Sequence, residues 1–267
     1  MDGVQSGTQA GGRQAFPWPA PPVYCPIAVE KRPDPMSELN ETFGKYQLLE
    51  ILGEGAMARV YRAVRSGPMG FRKPVAIKQI LPHVAEDEKV IQALINEARV
   101  GGALQHRNLV EVYEFDQVGD TFYIAMEFVA GYTLETVMRR TYSQGLIPPR
   151  VALEMAASLC DGLAYAHSAV DESGRQMELV HRDLKPPNVM VSFNGVIKIM
   201  DFGIAKAATN LFHTTAAGIT KGTPVYMSPE QVRGKKLDQR SDLFGLGSLI
   251  AELITGKVVF QAEQLFQ

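Results

Sequence analysis

His181-Arg182-Asp183-Leu184-Lys185-Pro186-Pro187-Asn188 and, a short hairpin later, Asp201-Phe202-Gly203 are the strings on which the reading of this chain turns. The intervening VMVSFNGVIKI alternates apolar residues around Asn194-Gly195, a dipeptide suited to a tight hairpin turn. Closing that hairpin gathers Asp183, Asn188 and Asp201, which supply two carboxylates and an amide. Hard divalent cations prefer oxygen ligands of this kind. A carboxylate beside them can orient a hydroxyl nucleophile and take its proton.

Upstream, Gly53-Glu54-Gly55-Ala56-Met57-Ala58 joins two strand-like runs, so backbone N–H groups there could approach phosphates unobstructed. The same letters fit the G-x-G-x-x-A form of a dinucleotide fold. That fold calls for a following helix and an acidic residue about 20 positions on. Here RVYRAV reads as a strand and Lys78 occupies that region. Val75-Ala76-Ile77-Lys78 puts a lysine on an apolar strand, where its ammonium needs an anionic partner unless it points to water. Glu97 supplies a carboxylate on the helix expected over 86–104, where Val90, Leu94, Glu97 and Gly101 share a face.

YQLLEIL, RVYRAV, PVAIKQI, LVEVYEF and TFYIAMEFV predict a five-stranded sheet with that one main helix. After Gly131 the pattern turns helical, and Ala152, Met155, Leu159, Leu163 and Ala166 form an apolar stripe. The expected organisation is α+β and bilobal: a Pro/Gly-rich disordered arm over 1–44, a sheet lobe over 45–130 and a mainly helical lobe over 131–267. Phe16, Trp18 and Tyr24 among the prolines leave a docking peptide in the arm as the alternative reading.

A net charge of -2 gives no general attraction to nucleic acid or an anionic membrane. Cys25 and Cys160, the two cysteines, make neither a disulfide framework nor a zinc spacing. The longest apolar run, 243–256, is too short to span a bilayer and carries Glu252. The N-terminal MDGVQSGTQAGG lacks signal-peptide character. A cytoplasmic location is expected, with an anchor beyond residue 267 left open.

Glycine loop, VAIK, helix glutamate, HRDLKPxN, DFG and SPE occur in that order, and over about residues 45–260 the chain resembles the eukaryotic-like (Hanks-type) protein serine/threonine kinases. NGVIKIMDFGIAKA and GTPVYMSPEQVRG are most similar to the bacterial branch. The resemblance implies transfer of the ATP γ-phosphoryl group to protein Ser/Thr hydroxyls, with Mg2+ (or Mn2+) as metal. Asp183 would accept the substrate proton, and Lys185 would neutralise charge on the transferring group, with Thr223 beside them. Asn188 and Asp201 would bind metal, and Lys78 would hold phosphates while paired with Glu97. Gly53, Glu54, Gly55, Ala56, Met57, Ala58 and Arg59 would cover the nucleotide. Leu52, Val60, Ala76, Met126 and Met190 would hold adenine, with backbone groups of Glu127 and Val129, and Thr133 near the ribose. Arg182 would pair with a phosphate on Thr209, Thr214, Thr215 or Thr220, with self-association through trans-autophosphorylation. Implied partners are ATP and Ser/Thr-containing proteins.

The chain departs from the family pattern at several places. Ala58 replaces a glycine, and Gly101 stands where a larger residue links the lobes. Pro187 takes a commonly polar position, and AVDESGRQMELV lengthens the approach to His181 as a surface loop. Only KVVFQAEQLFQ follows the helix carrying Asp242. The expectation is therefore a lower lobe short of its last helices, exposed apolar surface on that helix, and a Glu230 without its arginine partner. A nucleotide-binding scaffold and an inert fragment are the alternatives to an active kinase. Intact Lys78, Asp183, Asn188 and Asp201 argue against the first, and nucleotide-induced stabilisation would exclude the second.

Overall fold

Residues 39–202 and 224–260 are described by the structure, a computed structural model. Gly203, Thr209, Thr214, Thr215, Thr220 and Thr223 lie outside the described residues, as does the chain before Leu39.

Period-two alternation builds the first lobe. Strands β1 (Glu41–Phe43), β2 (Tyr46–Glu54), β3 (Ala58–Ser66), β4 (Arg72–Ile80), β5 (Val112–Val118) and β6 (Thr121–Glu127) form one antiparallel sheet in the order β1-β2-β3-β4-β6-β5. The sheet thus has six strands rather than five, and β1 falls inside the segment expected to be a disordered arm. Glu41-Thr42-Phe43 is too short for an alternation signal, and only Phe43 is buried. That ring meets Tyr123 edge-on at 5.2 Å, so β1 is held by one aromatic contact and its pairing with β2.

Glu114 on β5 closes this end of the lobe. It accepts hydrogen bonds from Tyr46 Oη at 2.7 Å, Tyr123 Oη at 2.8 Å and Lys45 Nζ at 2.5 Å. Tyr46, Leu48, Ala63, Val75, Ile77, Tyr123 and Ala125 pack beneath these groups.

The helical segment begins with a single turn, α1 (Pro82–Ala85), followed by α2 (Glu88–Ala103). Asp87 caps α2 by accepting from the Lys89 backbone N–H at 2.9 Å. The predicted stripe Val90, Leu94, Glu97 and Gly101 is buried. At Gly101 a Cβ would lie 2.6 Å from Val112 Cγ2, so the missing side chain is what lets β5 approach α2.

In the second lobe β7 (Gly131–Thr133), β8 (Val189–Ser192) and β9 (Ile197–Ile199) form a small antiparallel sheet, with Gly195 at φ 81° in the predicted turn. Among the described residues it also contains helices α3 (Leu134–Tyr142), α4 (Pro149–His167), α5 (Pro229–Val232) and α6 (Gln239–Thr255). Leu159, Leu163 and Ala166 of α4 pack with Ile199, Leu249 and Leu253 in one core. On α6, Leu243 and Ile254 are exposed, the apolar surface expected there. The 170–176 segment is the expected surface loop, closed by a Val170–Gln176 bridge and by Asp171 N donating to Arg175 O at 2.8 Å.

Candidate active site

Strand register fixes the upper wall. Val60 lies opposite Lys78, and Ala76 opposite Met126, so these side chains share one face of the sheet. Ala76 and Met126 are buried, while Leu52 is exposed at the end of β2. The glycine loop is a tight β2–β3 hairpin: Gly55 N donates to Ala58 O at 2.9 Å, and Arg59 Nε pairs with Glu54 Oε2 at 2.7 Å. Across β7 and β8, Thr133 pairs with Met190. The Thr133 hydroxyl caps α3, accepting from Thr136 N at 3.2 Å, so a ribose contact would compete with a structural bond.

Lys78 reaches from β4 to Glu97, its expected partner, and more closely to Asp201, which was expected only as a metal ligand. Its Nζ is 2.8 Å from Asp201 Oδ1 and 3.6 Å from Glu97 Oε1. Burial alone would push its ammonium down, but the Asp201 and Glu97 carboxylates outweigh burial and hold it above the ordinary lysine range. Lys78 therefore carries a positive charge throughout the working pH range.

The lower wall is the 181–188 loop. Asn188 Nδ2 donates to Asp183 Oδ2 at 2.6 Å and to Asp183 O at 2.7 Å, while Lys185 Nζ sits 3.0 Å from Asp183 Oδ1. Asp183 is thus fixed by an amide and an ammonium in a buried position. Met200 N donates to Asn188 O at 3.0 Å, which ties this loop to the strand leading into Asp201. Arg182 (φ 68°) and Asp201 (φ 57°) occupy the left-handed region. Such strain persists only where surroundings over-determine it. At Arg182 the surroundings are explicit: Asp242 takes its N–H, and Gln231 Nε2 donates to its carbonyl at 2.7 Å.

Several supporting groups were not legible as site residues. His167 at the end of α4 places Nε2 2.8 Å from Asp242 Oδ2. His181 approaches Met200 O at 3.1 Å through Nε2 and packs its ring 4.9 Å from that of Phe202. The expectation that Glu230 lacks a partner is corrected, because Ser241 Oγ donates to Glu230 Oε1 at 2.5 Å. That bond holds the Glu230 carboxyl below the usual range. Arg182 Nε is buried without a hydrogen-bond partner among the described residues.

Residues 46–267 match the protein kinase domain family. The chain is 36% identical over 226 residues to the tyrosine-protein kinase MasK of Myxococcus xanthus, covering 84% of this chain and 35% of that protein. It is 36% identical over 222 residues to the serine/threonine-protein kinase PrkC of Bacillus subtilis, covering 82% and 32% respectively. The chain thus spans about a third of the length of these relatives. The crystal structure of the Mycobacterium tuberculosis PknI kinase domain superposes with a TM-score of 0.63 at 26% identity, over 83% of this chain and 79% of that one. Residues 46–267 fall within that family's domain and the fold superposes on one of its solved members, so the chain belongs to the protein kinase family, with bacterial Hanks-type kinases among its relatives.

Proposed function

We propose that this chain transfers the γ-phosphoryl group of ATP directly to serine or threonine hydroxyls of proteins. The observation that carries the reading is the opposed pair of fixed charges, Lys78 with Asp201 on one side and Asp183 with Lys185 on the other. Lys78 binds phosphate oxygens, and Lys185 offsets negative charge developing on the transferred group. Asp183, held by Asn188, orients the substrate hydroxyl and takes up its proton. The Gly53–Ala58 loop excludes water from above.

The donor set fits Mg2+. With the Asn188 amide nitrogen committed to Asp183, its oxygen is the atom left for a cation, and Asp201 contributes a carboxylate. Among the described residues no cluster of three His, Cys, Asp or Glu forms a protein-only cage. Mg2+ commonly binds through few protein oxygens and completes its shell with substrate phosphates and water. When bound, the metal neutralises phosphate charge.

Serine/threonine rather than tyrosine specificity is supported by Lys185 beside Asp183. Arg182, with its buried Nε, supports a regulatory role for a phosphate on Thr209, Thr214, Thr215 or Thr220. The test is a radiolabelled-ATP assay against a generic basic protein, with Asp201→Ala as control and phosphoamino-acid analysis of the product. Label on serine and threonine, absent from the Asp201→Ala sample, is expected. Label in both samples, or label confined to tyrosine, contradicts the reading.

A further inference from the structure

Lys198 on β9 takes no part in the chemistry described above, yet its side chain is only 15% exposed and makes two bonds. Its Nζ lies 2.9 Å from Glu127 Oε2 and donates to Leu109 O at 3.2 Å. Glu127 ends β6 and starts the connector between the lobes. Its own N–H donates to Glu111 O at 2.8 Å, and its carboxylate accepts from Glu111 N at 3.3 Å.

The segment before β5 is tied in turn to β9. Ile199 N donates to Asn108 O at 2.8 Å, Val110 N to Ile199 O at 2.9 Å, and Asn108 Nδ2 to Ile197 O at 2.8 Å. One ammonium therefore joins three segments: the connector, the approach to β5, and the strand that runs on into Asp201. Alternation along β9 sends Ile197 and Ile199 into the core and Lys198 the other way. Lys198 and Glu127 line a cleft of about 370 Å³ whose walls include none of Lys78, Asp183, Asn188 or Asp201. The pair thus acts from behind the connector rather than within the reacting centre.

We propose that Lys198 is a positioning residue: by pinning the Glu127 side chain to β9 it fixes the connector peptide groups that grip the purine base. The inference rests on the nucleotide-binding reading above. A lysine stem and ammonium held by two acceptors lose freedom that only a connector in the right place repays. Without the bond, nucleotide must order the connector itself, and its apparent affinity falls.

The test uses calorimetric affinities of the full chain for Mg2+–ATP and for adenosine, together with steady-state kinetics. Lys198→Met is expected to weaken both ligands by about fivefold and to raise KM for ATP similarly, with kcat changed by less than about twofold. Lys198→Arg restores binding to within about twofold, and Glu127→Lys combined with Lys198→Glu binds better than Glu127→Lys alone. Unchanged affinities in Lys198→Met, or a loss confined to Mg2+–ATP, overturn the proposal, since the latter places the effect at Asp201. Should Lys198→Met fail to fold, a charge exchange that binds no better than Glu127→Lys alone overturns it instead. An unaltered chain that binds neither ligand is a different result: it removes the nucleotide-binding reading, and this inference with it.

Discussion

Asp242 accepts the backbone N–H groups of both His181 and Arg182, at 2.7 and 2.8 Å, from the first turn of a helix some sixty residues further along the chain. The same carboxylate meets His167 at 2.8 Å. These contacts hold the loop that presents Asp183, and they hold Arg182 in its left-handed conformation. Burial alone would push the Asp242 carboxyl up, but the hydrogen bond with His167, the charge of His181 and the two backbone donors bring it below the ordinary value of 3.8.

Replacing Asp242 by alanine leaves the buried His181 N–H and the half-buried Arg182 N–H without their acceptor and is expected to cost about 3 kcal/mol, read as a fall in denaturant midpoint. A carboxyl with a depressed folded pKa releases its proton more readily in the native state, so its contribution is complete above the unfolded value and lost as pH falls through the folded one. The stability gap between the parent chain and Asp242→Ala should therefore shrink as pH falls below about 4. A gap that does not vary down to acid unfolding would count against this assignment.

Gly101 and Val112 share one space. Gly101→Ala would ordinarily strengthen a helix by about 1 kcal/mol. Here the added Cβ falls 2.6 Å from Val112 Cγ2. Destabilisation of about 1–3 kcal/mol is expected instead, relieved when Val112→Ala is combined with it. Strictly additive effects in a double-mutant cycle would refute the shared-space account.

Glu114→Ala removes the common acceptor of Tyr46 and Tyr123, whose side chains are buried. A loss of about 2–3 kcal/mol is expected, while Lys45→Ala, which removes an exposed partner, should cost under about 1 kcal/mol. Equal losses for the two changes would show that the tyrosine hydroxyls are not the energetic element.

Much of this site could be read from the residues because its chemistry requires particular side chains at short spacing. Asp183, Lys185 and Asn188 lie within one loop, and Asp201 follows a hairpin whose Asn194-Gly195 turn is written in the sequence. Long-range pairings had no such local signal. Lys198 and Glu127 look like ordinary solvated charges until β9 is laid behind the connector. Glu230 seemed partnerless because its acceptor role is met by Ser241, a residue with no distinguishing pattern. Gly101 read as a gap because its cause, Val112, lies on another element. Strand β1 escaped detection because three residues with a single buried side chain carry no periodicity.

In the proposed reaction Asp183 handles the substrate proton while Lys78 and Asp201 hold the nucleotide. The most direct measurement is phosphoryl transfer and ATP affinity in Asp183→Asn, assayed side by side with the parent chain. Transfer is expected to fall by about 10²–10⁴-fold, with ATP affinity within about twofold of the parent. Transfer at the full parental rate would contradict the account.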